Sequence, residues 1–254
     1  MNWEIPLWAV TLAFMLLLLA FLEAGVRFRQ RADWKPDMAS SLHLVGAMFS
    51  ILNLLLAFTF SLALNRHDQR RSQMVVESNA IRALNRSLRL LEDPTRGQVV
   101  ASLHADANGR LAFVRARLPQ QVEMTGLLAS QREALNDKIT LVTAGLSKAG
   151  LQGQLMAGAT SVLDAGTTME SIAAAHVPPR VVLLLGVFST VYMVALGIAL
   201  GERTRELKSL LVFLVVVLSL ALFSIVDLDS SHWGSIRIDD RPLVVAVRAT
   251  APGR

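Results

Sequence analysis

One apolar stretch of the chain carries side chains that could replace part of an ion's hydration shell. Placed on a helix at about 100° per residue, His43, Gly46, Ala47, Ser50, Asn53, Ala57 and Ser61 fall within roughly a third of the circumference. Leu44, Ile51, Leu55 and Leu62 lie elsewhere on the same helix. Polar atoms in hydrocarbon are costly unless they meet protein or water, so this stripe is expected to face inward. Two arrangements satisfy it. In one, the small residues let helices approach closely and Ser or Asn bonds across the contact. In the other, copies of the helix surround an axis and the stripe lines a watery conduit. Phe58 and Phe60, near the polar end of the stretch, are candidates for a constriction that gates by dewetting. Their other reading is ordinary contact with lipid or a partner.

Charged residues further along suggest different chemistry. Glu77 lies on the face made by Met74, Ile81, Leu84 and Leu88, where a buried carboxylate needs a partner or has its pKa raised. Arg70, two turns earlier, is the local candidate, and Arg237 or His176 could reach it through the fold. Such a group either fixes helix register as an ion pair or senses protons or ions. Asp227 and Asp229 are the metal candidates, because with Asp239 and Asp240 they form an oxygen-rich tail of the kind that holds calcium. EF-hand spacing is absent, and Asp227 has an alternative partner in Arg180. His43, His67, His104, His176 and His232 are scattered without HExxH or paired spacing, and His67 has a local partner in Asp68. With no cysteine, disulfides, zinc thiolates and cysteine nucleophiles are excluded. No phosphate loop, nucleophile elbow or dinucleotide fingerprint occurs, so the chain reads as a non-enzyme with no cofactor.

The elements that must position these residues are membrane helices. Of 254 residues, 53% are apolar and 18% charged, a balance shifted towards lipid from that of a soluble domain. Apolar runs at 5–26, 39–65, 181–200 and 209–226 each approach the ~20 residues needed to cross hydrocarbon. The first run is too long for a secretory leader and lacks a basic start, so it is expected to stay as a transmembrane helix. The formal charge of +5 sits largely beside these runs, which points to anionic headgroups of the bilayer and not to nucleic acid.

Four segments are expected: 1–65 as a first transmembrane pair, 66–179 as a helical extramembrane domain, 180–226 as a second pair, and 227–254 as a tail. The basic stretches Arg27 to Lys35 and Arg203 to Lys208 are short loops that the positive-inside rule assigns to the cytoplasm. This places 66–179 outside, although Arg66, Arg70 and Arg71 pull the other way. Pro94, Pro119 and the glycines around 145–153 divide the domain into about four helices. From Ser40 to about Glu92 nothing breaks the helix, so one rod is expected to leave the bilayer. Pro242 suits the start of a small helix in the tail, Trp233 an interfacial anchor, and Gly197 with Gly201 a GxxxG helix contact.

The residues Ala57-Phe58-Thr59-Phe60-Ser61, Arg70-Arg71, Val75 to Ile81, Val226 to Asp229, Gly234 to Ile238 and Pro242-Leu243 together resemble a bacterial bestrophin-like family of uncharacterised integral membrane proteins. The resemblance spans both membrane pairs in order. It implies likeness to bestrophins, pentameric anion channels with a pore-lining second helix, phenylalanines at the neck and a helical domain between helices two and three. Two features depart from that pattern: the charge distribution places the helical domain outside, and the tail lacks a dense acidic run.

The expected protein is therefore an all-α, polytopic membrane protein with four transmembrane helices and a helical extramembrane domain between the second and third. As a homo-oligomer in the bacterial inner membrane, a pentamer by resemblance, it would conduct small inorganic ions along the second helix. The alternative is a non-conducting sensor or assembly protein whose helical domain binds a ligand or partner.

Overall fold

A computed structural model describes residues 7–32, 37–116, 118–175, 177–204, 206–229 and 239–251. Its helices are α1 (Leu7–Arg31), α2 (Met38–Leu88), α3 (Thr95–Arg115), α4 (Leu118–Ala144), α5 (Ala149–Ala174), α6 (Pro179–Leu200), α7 (Lys208–Asp229) and α8 (Arg241–Ala249), with a 3-10 turn at Gly201–Thr204. Four helical stretches among the described residues are long and apolar enough to cross a membrane. The protein is an all-α, polytopic membrane protein, with a helical region between its second and third spans.

The chain divides into two compact units. The first comprises residues 1–65 and 176–236, the second 66–175 and 237–254. In the first, α1 packs on α6 and α7. The α2 residues Val45, Leu52 and Leu56 join Leu18, Met193 and Val215 in its core, and the Phe49 and Tyr192 rings lie 5.4 Å apart. The α1–α6 crossing depends on two glycines. A Cβ on Gly25 would strike the Val194 carbonyl, and one on Gly197 would strike the Leu22 carbonyl. Gly197 thus meets a glycine of another helix. Gly201 ends α6 instead, with φ +56, a left-handed conformation that favours glycine. Beside it, Arg29 Nη1 donates to the carbonyls of Ile198 at 3.0 Å and Ala199 at 2.8 Å, satisfying acceptors that α6 leaves open at its C-terminus.

At the start of α2, the Asp37 carboxylate accepts from the Ser40 N–H at 2.9 Å and the Ser40 hydroxyl at 2.7 Å, which lowers its pKa. In the second unit, α3 packs on α4 and α8, and α4 on α5. Met74, Ile81, Leu84 and Leu88 are buried there with Leu103, Leu135 and Leu155. Helix α8 carries Pro242 in its first turn and buries Leu243 and Ala246. Two α2 side chains hold its ends: Ser78 Oγ donates to the Pro242 carbonyl at 2.6 Å, and Asn85 Nδ2 to the Ala249 carbonyl at 2.8 Å. His104 Nδ1 lies 3.0 Å from Thr250 Oγ1 just beyond.

Candidate conduction face and buried charge cluster

Within the first unit, α2 turns Val45, Leu52, Leu56, Thr59 and Ala63 into the protein. The opposite side is open: His43, Gly46, Ala47, Ser50, Asn53, Ala57 and Ser61 are all exposed. Burial in the core of a single chain is therefore not what the stripe serves. Ser50 Oγ donates to the Gly46 carbonyl at 3.0 Å, so that hydroxyl is satisfied along its own helix. Phe58 and Phe60 are 67% and 42% exposed. Two residues apart on a helix, their side chains diverge by about 160° and border the stripe on either side, each about 80° from its centre.

The second unit buries charges from α2 and α3, with a half-buried ion pair between α4 and α5 beside them. Glu77 on α2, Asp106 and Arg110 on α3 are each no more than 3% exposed. Arg110 Nη1 lies 2.8 Å from Glu77 Oε1 and donates to the Val162 carbonyl of α5 at 3.0 Å. Its Nε is 2.7 Å from Asp106 Oδ2, close enough for an ion pair but outside hydrogen-bond geometry. Arg132 of α4 pairs with Glu170 of α5. Gly166 of α5 leaves room for this arrangement, since a Cβ there would lie 2.5 Å from Arg110 Nη1.

Burial pushes the Glu77 and Asp106 carboxyls up, against the opposing pull of Arg110. Glu77 lies beyond the apolar run of α2, which ends near residue 65, and α3, which carries Asp106, is not among the membrane-length helices. Burial and the neighbouring Arg110 charge together lower the pKa of Arg132.

Glu77 is buried, and the arginine on it is Arg110. Arg70 is buried too, with Nη2 donating to the Ala175 carbonyl at 2.7 Å. Arg237, His176, His232 and Trp233 lie outside the described residues. Asp229 Oδ1 accepts from the Val177 N–H at 2.8 Å, tying the end of α7 to the approach of α6, and Asp227 is buried. Among the described residues no group of three His, Asp or Glu is placed to hold a metal ion. His67 Nδ1 and Asp68 Oδ1 are 3.7 Å apart.

Sequence reasoning missed Asp106, Arg110, Arg132 and Glu170. A signal for two of them was present. Val99, Leu103, Asp106, Ala107, Arg110 and Phe113 share the buried face of α3, so Asp106 and Arg110 sit one turn apart among apolar residues.

Four membrane-length helices with a helical region inserted between the second and third define the class: a polytopic, all-α membrane protein. Within that class, the chain has the fold of bacterial bestrophin homologues. A crystal structure of a bacterial Bestrophin homolog from Klebsiella pneumoniae carrying a tyrosine-to-alanine change superposes with a TM-score of 0.71 at 16% identity, covering 93% of this chain and 96% of that one. Another structure of the Klebsiella pneumoniae homolog gives 0.67 at 18% identity, covering 94% and 95%. A glycine-to-alanine variant of a protein described as a membrane protein gives 0.63 at 19% identity, covering 94% and 93%. No protein-family model matches the chain, and no curated protein is significantly similar to it in sequence.

Proposed function

We propose that the chain assembles as a homo-oligomer in the bacterial inner membrane and conducts small ions along the exposed polar face of α2. The observation that carries this reading is that His43, Ser50, Asn53 and Ser61 are exposed on a membrane-length helix. An amide such as Asn53 left against hydrocarbon costs on the order of 2–7 kcal/mol, so lipid is a poor environment for this face. Copies of α2 around an axis, five by likeness to bestrophins, would supply water and protein contacts instead. Phe58 and Phe60 then border the path, and their apolar rings are the candidates for a dewetting gate. The short basic loops after α1 and α6 favour a helical unit outside the cytoplasm.

Ion flux into liposomes containing the purified protein tests conduction. With salts chosen to separate anion from cation movement, the wild-type chain is expected to pass one class, and Asn53→Leu to abolish that flux. Absence of wild-type flux across a range of pH and calcium would sink the conduction reading and favour a non-conducting sensor or assembly protein.

The absence of cysteine gives a clean background for labelling. A cysteine at Ser50 should react with a small charged thiol reagent in membranes, whereas full protection would mean that the face is dry. A cysteine at exposed Gln98 should react with an impermeant reagent in intact cells. Reaction only after lysis would reverse the orientation.

A further inference from the structure

Immediately around Arg110 the charges do not balance. Arg132 is matched by Glu170, which leaves Arg110 alone between two carboxylates, Glu77 and Asp106. Both carboxylates are 1% exposed or less, so solvent cannot screen the surplus negative charge. Arg110 also spends one N–H on the Val162 carbonyl. Glu77 Oε2 and both Asp106 carboxylate oxygens accept no hydrogen bond among the described residues, and Arg110 Nε and Nη2 donate none. The charged groups facing the pair are Arg110 from α3 and, more weakly, Arg132 from α4, whose own charge is engaged by Glu170 of α5.

We infer that Glu77 and Asp106 together hold one exchangeable proton, making the helical unit a proton-binding site. With the proton in place, one carboxylate and Arg110 form a neutral pair. Its loss leaves a net negative charge enclosed by four helices. Release is therefore coupled to loosening of their packing, and the site makes the unit responsive to pH. This inference is independent of whether α2 conducts.

The direction of the pH effect follows from linkage. Both carboxyls are raised in the folded chain above their ordinary values of 4.5 for a glutamate and 3.8 for an aspartate. Their contribution to stability is therefore full below those values and lost as pH rises through the raised native range. The thermal midpoint of the purified full chain should fall as pH climbs through that range.

Infrared spectroscopy of the same protein gives the decisive readout. At neutral pH solvent-exposed carboxyls are ionised, so the C=O stretch of a protonated carboxylic acid reports a perturbed group. Wild type is expected to carry that band at neutral pH and lose it on alkaline titration. Glu77→Gln and Asp106→Asn should each remove it entirely, because either leaves one carboxylate to one arginine. Both amides are near-isosteric with the protonated acids, so both variants are expected to fold. A wild-type protein with no acid band at neutral pH would overturn the inference, as would a band that survives in both variants. A thermal midpoint of wild type that does not move with pH would overturn the coupling to packing, whatever the variants do.

Discussion

Arg110→Ala is expected to destabilise the helical unit by about 3–5 kcal/mol, the usual cost of removing one partner from a buried ion pair. The reason is local: Glu77 Oε1 and Asp106 Oδ2 each lose their nearest cation, at 2.8 and 2.7 Å, and neither carboxylate can reach water. The loss should be largest at neutral pH. As pH falls, both carboxyls in the variant protonate and the penalty shrinks, so the gap between wild-type and variant thermal midpoints narrows on acidification.

A second comparison separates the pair's stability from its chemistry. Replacing all three members together, Glu77→Met, Asp106→Leu and Arg110→Met, removes the desolvation cost along with the attraction. Such swaps are often neutral or stabilising. If the triple variant is as stable as wild type while Arg110→Ala is not, the cluster is not retained for stability. A loss of less than about 1 kcal/mol in Arg110→Ala would mean that the carboxylates are relieved some other way.

Much of the architecture was legible from residues that stop helices. Pro94 immediately precedes α3, Pro119 sits at the second position of α4, and Gly145 follows the end of α4. The long α2 was legible for the opposite reason, because its exit from the apolar stretch contains no breaker. The burial of Glu77 could be read from helical spacing, since Met74, Ile81, Leu84 and Leu88 mark the inner face.

Its partner could not be read the same way. Spacing on one helix reveals local neighbours such as Arg70, whereas Arg110 arrives from another helix, 33 positions along the chain. Exposure of the polar stripe was equally hidden. A pattern of small and polar residues says that one side of a helix differs from the rest, but which side the protomer buries depends on what packs against it. Here Leu52 and Leu56 win that competition, and the stripe is left outside. The GxxxG spacing was misleading in detail, because Gly197 works with Gly25 while Gly201 serves as a helix terminator.

That glycine pair carries the other large effect. Gly25 and Gly197 approach so closely that a Cβ on either would lie 3.2 Å from the other's Cα, besides striking a backbone carbonyl. Backbone cannot rotate aside as a flexible side chain can, so α1 and α6 must separate. Gly25→Ala and Gly197→Ala are each expected to cost about 1–3 kcal/mol, the range for overpacking a tight contact, despite alanine's better helix propensity. Gly186 on α6 has no atom within 4 Å of its Cβ position, so Gly186→Ala should be neutral or stabilise by up to about 1 kcal/mol. The double variant is the sharper test. Once one methyl has pushed the helices apart, the second finds part of its space already open, and the combined loss should fall short of the sum. Denaturant or thermal unfolding of the four proteins in one detergent checks this. Strict additivity would mean that the two methyls are accommodated independently, and the crossing would then not be a single shared contact.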